Sequence, residues 1–458
     1  MYETHQFMKD GYGLFTDPYY LSFLPSLIDL VKQAKKAEFY NNPKRHLELQ
    51  LGLLELIEST DKVVSEGKQE ARKSGNNEIL KQRKRNKTLA YAFRTVGDGM
   101  AWRSNGYTRF VISVLSQARS PGAANDKSGR KREVEWAKNA VLNGGYVMIH
   151  DITNTLRVGD LSLYNPVPDI TPYLSEVKSN KDLATAKQIQ EKLDAKKPIT
   201  KQEFRLWQAQ IMISTRRWYG VQTIAVEDVY PSKLDFLPSA GAIMKQAERK
   251  GVYGKYIAPY LYVDAFDFTS LVGKSIEELT EKLDLYKPPD RSDHFVMHSN
   301  YDNLDALHKT EVLRAVAPYT IFPFTSSVIA KLISGMMMTR TFLFKEPLKA
   351  AFLQLGYELK LDEAILDENY DNSSKKNSVD FLSSEQLFPD DFEDKPWIHI
   401  RHIESGFMFP AASLIAIMLH EFFSVEYIVS VAEFARKRAI PGEAGYSYHD
   451  IRDSYRWF

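Results

Sequence analysis

Two carboxylates and one amine lie where strand geometry would bring them together. In the run Tyr173-Leu174-Ser175-Glu176-Val177-Lys178, which has the pattern of a strand, Glu176 and Lys178 are two residues apart. Their side chains therefore leave one face while Val177 leaves the other. Asp160 sits in a preceding strand-like run, Leu156–Tyr164, and the link Asn165-Pro166-Val167-Pro168-Asp169 is turn chemistry. The simplest hairpin then lays Asp160 beside Glu176. Oxygen ligands of this kind suit Mg2+ or Mn2+. A cation held by Asp160 and Glu176 would polarise a phosphate ester, lower the pKa of a bound water and offset charge on the leaving oxygen. Lys178 would stabilise the transition state or orient the attacking water. Taken alone, a Glu-x-Lys pair in a strand is an ion pair on a solvated face. Weight comes from the acid on the adjoining strand and from a further acid upstream.

That upstream acid is Glu133. With about 100° per residue and Glu133 at zero, Trp136, Ala137, Ala140 and Val141 fall near 300°, 40°, 340° and 80°, so Glu133 centres the apolar face of its helix. A carboxylate there needs a partner or a metal. Glu135 falls on the opposite side and is expected to be solvated. Gly144-Gly145 ends the helix, and Tyr146–His150 follows as a buried strand. His150, next to Asp151, is either a satisfied structural histidine or a brace for the metal ligands. Two helices follow the Glu176 strand. Thr200 and Glu203 form a capping box for the second, and Val221–Val226 is a further strand.

In this order, a helix with Glu133, then Gly159-Asp160, then Glu176-Val177-Lys178, helices and Val221-Gln222-Thr223-Ile224-Ala225-Val226, the chain resembles the PD-(D/E)XK nuclease superfamily over about residues 130 to 230. That superfamily includes restriction endonucleases and archaeal-type Holliday junction resolvases. The resemblance implies an α/β fold with a restriction-endonuclease-like α-β-β-β-α-β core. It assigns the metal-binding acids to Asp160 and Glu176, the lysine to Lys178 and the helix acid to Glu133, with Mg2+ or Mn2+ as cofactor. Gly159 departs from the pattern, standing where the name-giving proline would, and two helices occupy the place of one. The implied activity is metal-dependent phosphodiester hydrolysis, with DNA as expected substrate and prokaryotic defence as expected setting. The alternatives are a non-catalytic nucleic-acid-binding or interaction protein on the same scaffold, and an RNase toxin.

The flanks position this core. Residues 1–125 carry helical patterns, including the stripe Leu47, Leu51, Leu53, Leu54, Leu56 and Ile57; residues 126–235 hold the nuclease-like core; and residues 236–458 read as a mixed, mainly helical C-terminal domain with aromatic-rich segments. Lys127, Arg130, Lys131 and Arg132, just before the core, are candidates for phosphate contacts. The basic run Lys81, Arg83, Lys84, Arg85 and Lys87 is either a solvated helix face or a phosphate-contacting strip. Gly97 and Gly99 suit close helix approach, since no dinucleotide-loop spacing surrounds them. Asp98 and Arg103 are either an internal ion pair or residues facing the site. Asp362–Lys395 reads as an exposed loop or disorder, and Tyr446, Tyr448, Trp457 and Phe458 as a docked terminus or stacking groups.

Sixty Lys and Arg oppose 59 Asp and Glu, a formal net charge of +1, so a nucleic-acid partner must be held by a local patch. With no cysteine, thiolate metal sites, disulfides and a cysteine nucleophile are excluded. No signal peptide is expected from the N-terminus, and the apolar stretch Phe407–Val431, broken by His420, Glu421 and Glu426, suits a buried helix better than a membrane span. A cytoplasmic enzyme with no membrane partner is therefore expected, as a monomer or homo-oligomer. A Walker loop and the zinc-protease helix are both missing, and Met336-Met337-Met338 suits core filling.

Overall fold

Gly75, held at φ +63°, closes a hairpin between two long helices near the start of the chain. The computed structural model describes residues 18–36, 41–116, 129–164, 172–177, 183–215, 217–218, 221–222, 236–271, 278, 294–299, 317–361, 398–410 and 412–438. Helices α1 (Pro18–Ser22) and α2 (Leu24–Ala34) precede the hairpin of α3 (Pro43–Ser74) and α4 (Asn77–Ser104). The Asn76 side chain caps α4 by accepting from the Glu78 N–H. The C-terminal half of α4 is buried on almost every side, from Asn86 to Trp102. Its glycines permit this. A Cβ on Gly97 would strike the Ile152 carbonyl oxygen, and one on Gly99 would strike the Thr320 hydroxyl.

Helices α5 (Arg109–Leu115) and α6 (Arg130–Leu142) lead into a four-stranded antiparallel sheet. Its strands are β1 (Tyr146–Ile149), β2 (Leu161–Tyr164), β3 (Tyr173–Val177) and β4 (Leu183–Thr185), in spatial order β1-β2-β3-β4. Strand β1 is an edge, and its backbone is matched by a side chain. The buried Gln50 amide donates to Val147 O (2.9 Å) and accepts from Ile149 N–H (2.7 Å). Its second N–H donates to His46 Nδ1 at 2.9 Å, which fixes the proton on the other ring nitrogen. Burial pushes His46 down from 6.5 to about 3.

Helices α7 (Ala186–Asp194) and α8 (Lys201–Thr215) follow, the two expected from sequence. Thr200 and Glu203 make the expected capping box, with Thr200 N–H donating to Glu203 Oε2 (2.7 Å) and Glu203 N–H to Thr200 Oγ1 (3.2 Å). The Lys192 ammonium and the Thr200 N–H, both bonded to the Glu203 carboxyl, hold it down at about 2. Two strand expectations need correction. The Leu156–Tyr164 run is a strand only from Leu161, and β4 was not expected. At the Val221 strand, the described part is β6 (Val221–Gln222), which pairs with β5 (Arg217–Trp218) in a separate hairpin. Residues 223–226 lie outside the described residues.

The C-terminal stretch carries more strand than its helical patterns suggest. Helix α9 (Leu237–Lys250) packs on a second sheet of β7 (Val252–Ala258), β8 (Leu261–Asp267), β9 (His294–Ser299) and β10 (Met337–Phe344), ordered β7-β8-β10-β9. The aromatic-rich segments are these strands. Arg340 on β10 faces its register partner Asp264 on β8, with Nη2 2.5 Å from Oδ2. Met336, Met337 and Met338 are buried, as core filling requires. Helices α10 (Ser326–Ile333) and α11 (Lys345–Gln354) flank β10. A third sheet, β11 (Tyr357–Leu361), β12 (Ile398–His402) and β13 (Met408–Pro410), precedes α12 (Ala412–Glu421) and α13 (Val425–Arg438). Among the described residues no helix is long and apolar enough to cross a membrane.

The three stretches share one apolar core running from Tyr20 to Ala432. Polar clasps reinforce it. Arg109 grips Glu421 with two hydrogen bonds (2.9 and 2.6 Å), Glu421 also accepts from Ala317 N–H, and the Tyr20 hydroxyl donates to Ser334 O. The region from Asp362 to Lys395 and the C-terminal aromatics lie outside the described residues.

Two measurements test this packing. Gly97→Ala should cost at least about 1–3 kcal/mol in denaturant unfolding, because the new methyl meets backbone that cannot swing aside; an unchanged midpoint would refute the close approach. His46 is held neutral, so its contribution is complete above pH 6.5 and erodes as pH falls toward 3. The loss from this group should reach roughly 2 kcal/mol at pH 5. His46→Leu should be less stable at pH 7.5 yet show a shallower decline from pH 7.5 to 5.

Candidate functional site

Asp160 is placed by an irregular stretch between the 3₁₀ turn His150–Ile152 and β2. Backbone groups there are matched by side chains rather than by a ladder. The buried carboxylate of Asp98 on α4 accepts from Asn154 N–H (2.8 Å), Asn154 Nδ2 (2.9 Å), Thr155 N–H (3.0 Å) and Thr155 Oγ1 (2.8 Å). Arg157 donates to the carbonyls of Thr153, Asn154 and Leu156. This settles the two readings of Asp98 and Arg103. Asp98 braces the site's loop from behind, and Arg103 donates instead to Ala34 O and Thr320 O.

His150 is the latch of that loop. Its ring lies 3.1 Å from Gly159 O and 2.7 Å from Ser162 Oγ. A carbonyl can only accept, so Nδ1–H donates to Gly159 and Nε2 accepts from the Ser162 hydroxyl. Burial pushes this imidazole down to about 4, which keeps it neutral in that role. Its backbone N–H donates to Asp160 O at 3.0 Å. Gly159 itself sits at φ +74°, with its Cβ position 3.0 Å from Ser175 O. A proline, fixed near −65°, cannot adopt that conformation.

Asp160 spans Glu176 on β3. Its N–H donates to Ser175 O at 2.9 Å, and its Oδ2 accepts from Val177 N–H at 2.8 Å. The residue before Glu176 and the residue after it are thus both bonded to Asp160. Leu161 pairs with Ser175 in the β2–β3 ladder, so Asp160 and Glu176 flank that pair on the same side. Both are half-buried. Lys178 lies outside the described residues.

Glu133 is buried, as its place on the apolar face of α6 requires, and its partner is Arg130 at 3.5 Å. Arg130 also pairs with Asp151 (2.8 Å) and Glu58 (3.1 Å). Asp151 adjoins His150, so this ionic cluster is linked to Asp160 through one histidine. Arg130 thus spends its donors on carboxylates inside the fold rather than at the surface. Lys131 is exposed and Arg132 half-buried, Lys127 lies outside the described residues, and Glu135 is exposed.

Asp160 and Glu176 are therefore brought together, and Glu133 stands in the neighbouring cluster. Among the described residues no group of three His, Asp or Glu is arranged to hold a metal ion. The donor type still fits Mg2+ or Mn2+. These ions bind through one or two carboxylates and complete their shell with water and phosphate oxygens. Sequence reading left Asp98 between two roles, neither of which was bracing the loop, and missed the supporting roles of Gln50, Glu58 and Asp151. The signal for Asp98 was a lone acid inside the apolar run Leu89–Trp102. Comparison with protein-family models, with curated proteins and with solved structures gives no match.

Removing the guanidinium of Arg130 would take a counter-charge 3.5 Å away from the Glu133 carboxylate, which is 4% exposed. Arg130→Ala should lower unfolding free energy by about 3 kcal/mol or more, and adding Glu133→Gln should restore part of it. A double variant no more stable than Arg130→Ala would show that this pair is not what Arg130 serves.

Proposed function

We propose that the chain is a metal-dependent nuclease that hydrolyses phosphodiester bonds, with DNA as its substrate. The observation that carries this reading is the bonding of Asp160 to both neighbours of Glu176, which presents two half-buried carboxylates across one strand pair. Asp160 and Glu176 would hold Mg2+ or Mn2+, which when bound supplies Lewis-acid polarisation of the phosphate and acidifies water. The Val177 N–H fixes one oxygen of Asp160. Neutral His150, bonded at Gly159 and Ser162, keeps the loop in place without adding a positive charge beside a cation site. Lys178, two residues beyond Glu176, would bring an ammonium to the attacking water or the developing phosphorane charge.

The element order α6, β1, β2, β3, with β4 added at the sheet's edge, then α7 and α8 supports a restriction-endonuclease-like core, although the described part of the expected last strand, Val221–Gln222, pairs with β5 and not with this sheet. By analogy with that superfamily, the setting is cytoplasmic prokaryotic defence. A second reading is a non-catalytic nucleic-acid-binding or interaction protein on this scaffold. The use of Asp160 Oδ2 in a backbone hydrogen bond, as a purely structural aspartate would use it, favours that alternative.

The deciding experiment incubates the purified protein with plasmid, single-stranded DNA and total RNA in Mg2+ or Mn2+, against a chelator control. DNA should be cut only with metal. Asp160→Asn, Glu176→Gln and Lys178→Ala should each lose roughly a hundredfold or more while keeping the wild-type circular dichroism spectrum. Mn2+ should also raise the melting temperature of the wild type and not that of Asp160→Asn. Cutting confined to RNA would make the chain an RNase. Nucleic-acid binding with no cutting and no metal response would leave the non-catalytic reading.

A further inference from the structure

The α3–α4 hairpin extends far beyond what the core uses. Thr60 and Asn86 are buried, yet among the described side chains between them, across the end of α3, the turn and the start of α4, not one is buried. Gly67 lets the two helices close on each other there, its Cβ position lying 3.6 Å from Arg83 Cβ and 3.7 Å from Ile79 Cγ2. The result is a helical arm with solvent around it. Such a segment buries little apolar surface and adds little to stability, so its length calls for another explanation.

Its charge supplies one. From Lys62 to Lys87 there are nine Lys and Arg against three Glu, a surplus of six, whereas the whole chain is at +1. Glu78 is shared by Lys81 (3.7 Å) and Arg85 (3.4 Å), and Glu66 is 4.0 Å from Lys62. Lys84 and Lys87 have no acidic partner among the described residues. At about 100° per residue Lys81, Lys84 and Lys87 fall within roughly 120° of the helix, a single stripe, and all three are exposed.

The root of the arm is fixed to the candidate site. Gln50 on α3 holds β1, Gly97 on α4 lies against Ile152, and Glu58 on α3 pairs with Arg130. From Gly97 to Lys84 is about 20 Å along α4, the length of roughly six base pairs of duplex.

We propose that this arm grips the phosphate backbone of the nucleic acid on which the Asp160–Glu176 site acts, through Lys81, Lys84 and Lys87. The proposal rests on the nuclease reading for the site's chemistry, though not for the binding itself. A phosphate backbone is the occupant that the charge favours. An anionic lipid surface would need apolar side chains beside the lysines, and on this stretch Leu80, 44% exposed, is the large apolar group that reaches solvent.

The test compares the wild type with Lys81→Gln/Lys84→Gln/Lys87→Gln by fluorescence anisotropy on a labelled 30-base-pair duplex, in chelator, from 50 to 300 mM KCl. Helical circular dichroism controls for folding. The triple variant should bind roughly tenfold or more weakly at 100 mM salt, and its slope of log affinity against log salt should fall by about two to three. In Mg2+ it should cut with raised KM and a nearly unchanged kcat. Wild-type and triple variant with equal affinity and equal slope would overturn the arm's role and leave the nuclease reading untouched. A wild type that binds duplex through the arm but cuts nothing would uphold the arm and remove the nuclease reading. Binding to phosphatidylserine vesicles with none to duplex would overturn the proposal in favour of a membrane surface.

Discussion

The ten residues from His150 to Gly159, a 3₁₀ turn and the irregular backbone that follows it, set the position of Asp160 at the candidate site. Backbone that enters no ladder must have its N–H and C=O groups matched by something else when water is excluded. Here much of the matching falls to side chains, among them Thr153, whose hydroxyl accepts from Leu156 N–H. Asp98 takes the N–H groups of Asn154 and Thr155, Arg157 takes carbonyls, and His150 takes Gly159 O while passing its own N–H to Asp160. Burial holds His150 neutral, and the neutral ring can donate at one nitrogen and accept at the other.

The same accounting explains why the site is attached to the N-terminal helices rather than standing as a free sheet. Asp98 and Gly97 are adjacent on α4, so the helix that supplies the carboxylate must come close enough for it to reach the loop. The missing Cβ at Gly97 allows that approach, with Ile152 O in the space a side chain would need. Gln50 does the equivalent on α3, where one amide completes the edge of β1. Arg130 then joins Glu58 on α3, Glu133 on α6 and Asp151 in the 3₁₀ turn. One guanidinium thus ties carboxylates from three elements together.

Much of this was legible in the sequence where a single local rule decided the outcome. Glu133 was placed on the buried face by helical periodicity alone, the Thr200–Glu203 box by its spacing, and the glycines of α4 by the absence of any other use for them. The errors came where tertiary contacts override local pattern. Leu156–Gly159 alternates like a strand, but its backbone finds other partners, with Leu156 N–H donating to Thr153 Oγ1, Arg157 N–H to Leu115 O and the Gly159 carbonyl accepting from His150, and Gly159 turns the chain at positive φ. Strand β4 is three residues long and carries too little pattern to be seen. The second and third sheets were hidden because pairing such as Arg340 with Asp264 joins residues 76 apart, a relation no local window contains.

The departure at Gly159 shows how a change in a motif can follow from its surroundings. The resemblance that first pointed to Asp160 has proline at the preceding position, whose ring fixes φ and removes an N–H. Here the preceding residue must instead turn at φ +74° and leave its carbonyl facing the His150 ring. Glycine permits that conformation at little steric cost, and its missing side chain leaves the 3.0 Å gap to Ser175 O open. The backbone N–H of Asp160 can then reach Ser175, and its carboxylate can reach Val177. On the proposed nuclease reading, proline and glycine would be two ways of aiming one aspartate, the first by stiffness and the second by a turn that a neighbouring histidine locks. On this account His150 supplies the rigidity that glycine gives away. The histidine, seen from sequence as structural or as a brace for the ligands, is structural in what it touches, and on the proposed nuclease reading holding the turn would also hold Asp160.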